Sequence, residues 1–134
     1  MKAILLASHG PLAKGMYETS QLFMGTDIPQ YDYLCLEAAD AAEEFGSRIL
    51  GKADEIDSGE GVIIFVDLLG GTPYNQSCLL LEHPERFQVI AGMNLSMVLE
   101  QLGNRLSDVY DFDSLVQTGI DGIKNVNRMF EEME

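Results

Sequence analysis

The chain has 134 residues, of which 22 are acidic and 8 basic, giving a net charge of −14 at neutral pH. That length suits one domain, residues 1–134, able to bury roughly two-thirds of the surface its unfolded form exposes. The charge argues against nucleic acid and anionic membranes, which would repel it, and favours a basic protein partner drawn in by long-range attraction.

Part of the acidic excess sits in the last four residues, Glu131-Glu132-Met133-Glu134, read as a frayed end. There is no charged-then-apolar leader, and no apolar run approaches the ~20 residues of a membrane span. The expectation is a cytoplasmic protein whose mature chain begins at Met1. Cys35 falls in a strand-like run and Cys78 in a helical pattern, so both read as buried thiols rather than a disulfide or metal site.

The first element is an uninterrupted apolar run, Ala3-Ile4-Leu5-Leu6-Ala7, which suits a strand buried on both faces. It stops at Ser8-His9-Gly10-Pro11. Gly10 permits an abrupt turn and Pro11 suits the start of a helix, whose apolar stripe is read as Leu12, Gly15, Met16, Thr19, Leu22 and Phe23. Gly25 to Pro29 is a stop and turn, and Tyr31–Leu36 a second strand. A helix over Ala38–Ile56 follows, with Ala39, Ala42, Phe45, Ile49, Leu50 and Ala53 inward. Val62–Val66 is another buried strand, ending at Asp67. After the Leu68–Gly71 loop, Thr72 reads as a helix cap and Pro73 as the first helical residue. That helix runs to about Glu82, Phe87–Ala91 is a fourth strand, and helices are expected over 95–102 and 113–122. Residues 123–129 are ambiguous between a half-exposed edge strand and more helix.

Strands alternating with helices through short connections imply an α/β fold, a doubly wound four-stranded parallel sheet in the order 2-1-3-4. Ligands of such sheets bind where the strand order reverses, here between the first and third strands. His9 and Asp67 end those two strands and should meet there, each beside a helix N-terminus that favours an anion. A carboxylate on one ring nitrogen fixes the tautomer and leaves the other nitrogen free to attack. Gly10, Gly71 and Thr72 are the candidate phosphate-binding positions, and neither a metal nor a cofactor is called for. No nucleotide-binding Gly-x-x-x-x-Gly-Lys pattern is present, and no Lys or Arg lies within either strand-end motif. Phosphate would be held mainly by dipoles, which suits an intermediate that is passed on. His83, before Pro84 at a helix end, reads as a structural residue.

Three segments carry a resemblance that covers nearly the whole chain: Ile4–Gly10 with Ser8-His9-Gly10, Val66–Asn75, and Val89–Met97. The chain resembles the enzyme IIA component of the mannose-family sugar phosphotransferase system. The resemblance implies that His9 takes a phosphoryl group from the phosphocarrier protein HPr and gives it to a histidine of enzyme IIB. It implies that Asp67 orients His9 and that Thr72 fills a hydroxyl position commonly held by serine. A homodimer is also implied, with a C-terminal strand at about Gly122–Arg128 exchanged between subunits. Because the chain ends at Glu134, IIB is expected to be a separate protein.

Rival readings fit less well. Class II tetrapyrrole metal chelatases share a His-Gly turn but need a second metal-facing histidine late in the chain, where only His83 is available. A histidine phosphatase would have an arginine at Ser8 and a further histidine. The phosphotransfer subunit of dihydroxyacetone kinase shares the histidine turn but is not expected to carry Gly-Gly-Thr-Pro-Tyr-Asn. A receiver-like module phosphorylated on Asp67 would need an acidic pair after the first strand and a lysine after the last.

Overall fold

The apolar runs become the centre of the molecule, in a computed structural model that describes residues 1–134. Strand β1 (Ala3–His9) and strand β3 (Val62–Val66) are side by side, and every residue from Ala3 to Ser8 and from Val62 to Val66 is buried. Strands with both faces covered need no polar alternation, which is why these two read as unbroken hydrophobic sequence. β2 (Tyr31–Leu36) and β4 (Phe87–Ala91) flank them, all parallel, in the expected order β2-β1-β3-β4.

Helices cover both faces. On one, α1 (Leu12–Met24), α4 (Leu95–Asn104) and α5 (Phe112–Asp121) set Ala13, Val98, Leu102 and Leu115 against Ile4, Leu6, Ile63 and Phe65. On the other, α2 (Ala42–Ile56) and α3 (Thr72–Leu79) cover Leu5, Ala7, Ile64 and Val66, with Phe45, Ile49 and Ala53 as the inward row of α2. No helix is long and apolar enough to cross a membrane.

Several expectations are corrected. Helix α2 begins at Ala42 rather than Ala38, because the Asp40 carboxylate accepts the Glu37 N–H at 2.8 Å and closes a separate turn first. The inward side of α1 carries Ala13, Met16, Tyr17, Ser20 and Met24, while Leu12, Leu22 and Phe23 are 50, 85 and 64% exposed. Most of the stripe read from sequence therefore faces solvent. Cys35 and Cys78 are free and only partly buried. The expected C-terminal edge strand is absent from this chain: residues 122–125 form a connection and α6 (Val126–Glu132) is a helix, started by Asn125, whose side chain accepts the Arg128 N–H. A side-chain cap supplies a partner to an otherwise unsatisfied amide, and that decides an apolar pattern too irregular to choose for itself.

Candidate active site

β1 and β3 deliver their last residues to one crevice at the carboxyl edge of the sheet. His9 and Asp67, 58 positions apart, are joined twice through a single oxygen: Asp67 Oδ2 accepts the His9 backbone N–H at 3.0 Å and lies 2.9 Å from Nδ1. The Asp67 side chain is 7% exposed and that of His9 43%. A carboxylate can only accept, so the neutral ring carries its proton on Nδ1 and presents a bare Nε2. The remaining Asp67 oxygen, Oδ1, is buried without a partner, so all of its hydrogen bonding within the chain is spent on His9 through Oδ2.

Gly71 faces the other end of the ring. A Cβ there would meet His9 Cε1 at 2.8 Å and Nε2 at 2.9 Å, and Gly71 has φ +85°, a conformation suited to glycine. This backbone enters α3 so sharply that the helix begins at Thr72 and Gly71 takes the cap position. The Thr72 side chain therefore caps nothing, contrary to expectation. The first helical bond runs from the Asn75 N–H to the Gly71 carbonyl at 2.8 Å, leaving the amides of Gly71, Thr72 and Tyr74 without backbone acceptors. Three open donors thus gather at the positive end of a helix dipole, and the first of them, Gly71, adjoins the free ring nitrogen.

Of the three expected phosphate-binding positions, Gly71 adjoins the His9 ring, and Thr72 follows it at the start of α3; both amides are open. Gly10 differs. Its N–H is committed to the Leu36 carbonyl at 2.8 Å, because the turn leaves β1 while still bonded to β2; its contribution is the turn itself, at φ +58°. Ser8, unremarked in the sequence beyond its place in the motif, is fully buried and bonds both sides of that turn. His83 lies ahead of β4, at the sheet's opposite edge, exposed and 3.6 Å from Glu85. That placement removes the second ligand a chelatase would need.

Beside His9 is an open cavity of about 570 Å³, lined chiefly by Pro11, Leu12, Met16, Thr19 and Leu95. Leu68 and Leu69, 58 and 80% exposed, follow Asp67 in the next loop. Apolar side chains of α1 thus border the His9 ring, and two more are exposed in the loop after Asp67, whereas the helical pattern alone reads Leu12 and Met16 as core.

Residues 3–118 match the family model described as PTS system fructose IIA component. The chain belongs to this family. It is 32% identical over 128 residues to the PTS system mannose-specific EIIAB component of Escherichia coli K12, a match spanning 91% of this chain but 38% of that relative's length. It is 30% identical over 97 residues to the sorbose-specific EIIA component of Lacticaseibacillus casei, covering 72% of this chain and 69% of that one. Among solved structures, the PTS IIA protein associated with the fucose utilization operon of Streptococcus pneumoniae superposes with a TM-score of 0.87 at 26% identity, covering 96% of both chains. The mannose/sorbose-specific IIA subunit from Enterococcus faecalis gives 0.77 at 26% identity, covering 93 and 95%. The His9–Asp67 pair lies where a doubly wound sheet of this order places its ligands.

Proposed function

We propose that this IIA component relays a phosphoryl group through His9, from phospho-HPr to a histidine of enzyme IIB. The observation that carries the reading is the bare Nε2, fixed by Asp67 and facing the open amides of α3. Nε2 attacks the phosphorus; its bond to phosphorus forms as the bond from the donor histidine to phosphorus breaks, and that ring leaves with the electron pair. The Nδ1 proton stays in place and Asp67 offsets the charge the ring acquires. The amides of Gly71 and Thr72, with the Thr72 hydroxyl, receive the phosphoryl oxygens. Transfer to IIB is the same step reversed, with the IIB histidine as nucleophile.

The apolar rim formed by Leu12, Met16, Leu68 and Leu69 suits a protein donor rather than a small one, since it offers area to bury but little polar specificity. The sugar itself is left to other components, and the relay operates in the cytoplasm. Exposed Ile120, Ile123, Val126 and Phe130, on the last two helices and the connection between them, favour pairing with a second copy, a homodimer that sedimentation would detect.

Intact-mass measurement after incubation with phosphoenolpyruvate, enzyme I and HPr tests the relay. The expected result is a gain of one phosphoryl group that is acid-labile and absent from His9→Ala. An acid-stable group, or one retained by His9→Ala, overturns it.

A further inference from the structure

Ser8 immediately precedes the reactive histidine, and its side chain is wholly buried, where a hydroxyl must find partners. It finds two. Its oxygen accepts the Ala13 N–H at 2.7 Å and its O–H donates to the Gly10 carbonyl at 3.0 Å. These groups stand at opposite ends of the turn that carries the chain from β1 into α1. Gly10, at φ +58°, is the swivel of that turn, and Pro11 has no N–H with which to tie it. On its other side Gly10 is bonded to Leu36 of β2.

His9 is therefore restrained from two directions. Asp67 grips its N–H and Nδ1 from β3, but a grip on two atoms through one oxygen still lets the ring move with the main chain that follows. The Ser8 hydroxyl removes that motion by closing the turn across Gly10. It also withdraws the Ala13 amide from the start of α1, leaving Leu12 and Lys14 as open donors there against three on α3.

We propose that Ser8 is a positioning residue for His9: by bridging Gly10 and Ala13 it holds the β1–α1 turn so that Nε2 faces the amides of Gly71 and Thr72. This deepens the relay reading and, as a statement about transfer, rests on it. The hydroxyl touches neither donor nor phosphoryl group. Its loss acts on the approach geometry, where a displacement of about 1 Å can cost roughly a hundredfold in rate.

The test uses the full chain as Ser8→Ala, Ser8→Cys and Ser8→Thr, each verified as folded by circular dichroism. Ser8→Cys fills the same space with a poor hydrogen-bonding group, and Ser8→Thr keeps the hydroxyl. Two measurements are made: single-turnover transfer from phospho-HPr alongside affinity for unphosphorylated HPr, and nitrogen-15 spectra of the His9 ring. For Ser8→Ala and Ser8→Cys, transfer falls about tenfold to a hundredfold at unchanged affinity, and the ring signals move toward averaged tautomers. Ser8→Thr restores both. Wild-type transfer and ring spectra in a folded Ser8→Cys protein overturn the proposal, as does a folded Ser8→Thr protein no better than Ser8→Cys. Should the wild type accept no phosphoryl group, the relay reading fails, and the ring spectra, which need no donor, still decide whether Ser8 orients His9.

Discussion

Gly71 presses its bare α-carbon against the imidazole of His9, so closely that a methyl group would sit 2.9 Å from Nε2. The backbone with the open amides thereby closely approaches the His9 ring, and the distance between them is set by the absence of a side chain. Substitution has two separable effects. In Gly71→Ala, the φ of +85° costs about 1–3 kcal/mol of folding stability. The methyl group also displaces the ring. Phosphorylation of the folded variant should therefore fall further than its loss of stability explains, as urea unfolding and initial rates on the same sample would show. A destabilised protein with a wild-type rate per folded molecule would contradict the close approach.

Asp67→Asn keeps an oxygen able to accept both His9 donors, so the fold and partner affinity should survive. Its amide NH₂ then occupies the buried Oδ1 position, which has no partner, at a cost of about 1–3 kcal/mol. The negative charge opposing the developing imidazolium is gone, and transfer should slow by about a hundredfold or more. Stopped-flow transfer with a parallel binding isotherm checks this. Full-rate transfer would show that Asp67 contributes geometry alone.

Arg105 works far from the reaction. Buried at the amino edge of the sheet, it donates to the carbonyls of Pro29, Gln30 and Lys2 at 2.5, 2.9 and 3.1 Å, tying the end of α4 to the starts of β1 and β2. Burial lowers its pKa, but these acceptors keep a charged donor useful there. Arg105→Met should lose about 3 kcal/mol in urea unfolding while transfer by the folded protein is unchanged. A fall in transfer without a fall in stability would mean that the two edges of the sheet are coupled.

Tyr31 gives a pH signature. Burial, opposed by its hydrogen bond with Ser20, raises its pKa to about 12 from the ordinary 10.0. The unfolded chain thus releases this proton first. Tyr31 stabilises the fold fully below pH 10 and loses that contribution as pH rises through 12, by at most about 3 kcal/mol. Tyr31→Phe leaves Ser20 still donating to the Tyr17 carbonyl at 2.7 Å, so stability at pH 7 should change little. Thermal melts from pH 8 to 12 should show a shallower alkaline decline in the variant; parallel curves would refute the assignment.

What the sequence determined by itself was the frame and the pair of residues within it. Two unbroken apolar runs can only be strands covered on both faces, and strands alternating with helices leave one reversal of order, so His9 and Asp67 were legible as neighbours despite 58 intervening positions. Tertiary structure decided what periodicity leaves degenerate. Which flank of α1 faces inward depends on how the helix rolls on the sheet, and an apolar stripe reads the same whether it meets the core or a protein partner; Leu12 turned out to border the site. Whether an amide is free depends on its neighbour across space: Leu36 takes the Gly10 N–H and Ser8 takes that of Ala13, while those of Gly71 and Thr72 stay open. The 122–132 segment was settled by one Asn125 cap. Hydrophobic pattern is written along the chain, but hydrogen-bond occupancy belongs to pairs of residues that only the folded chain brings together.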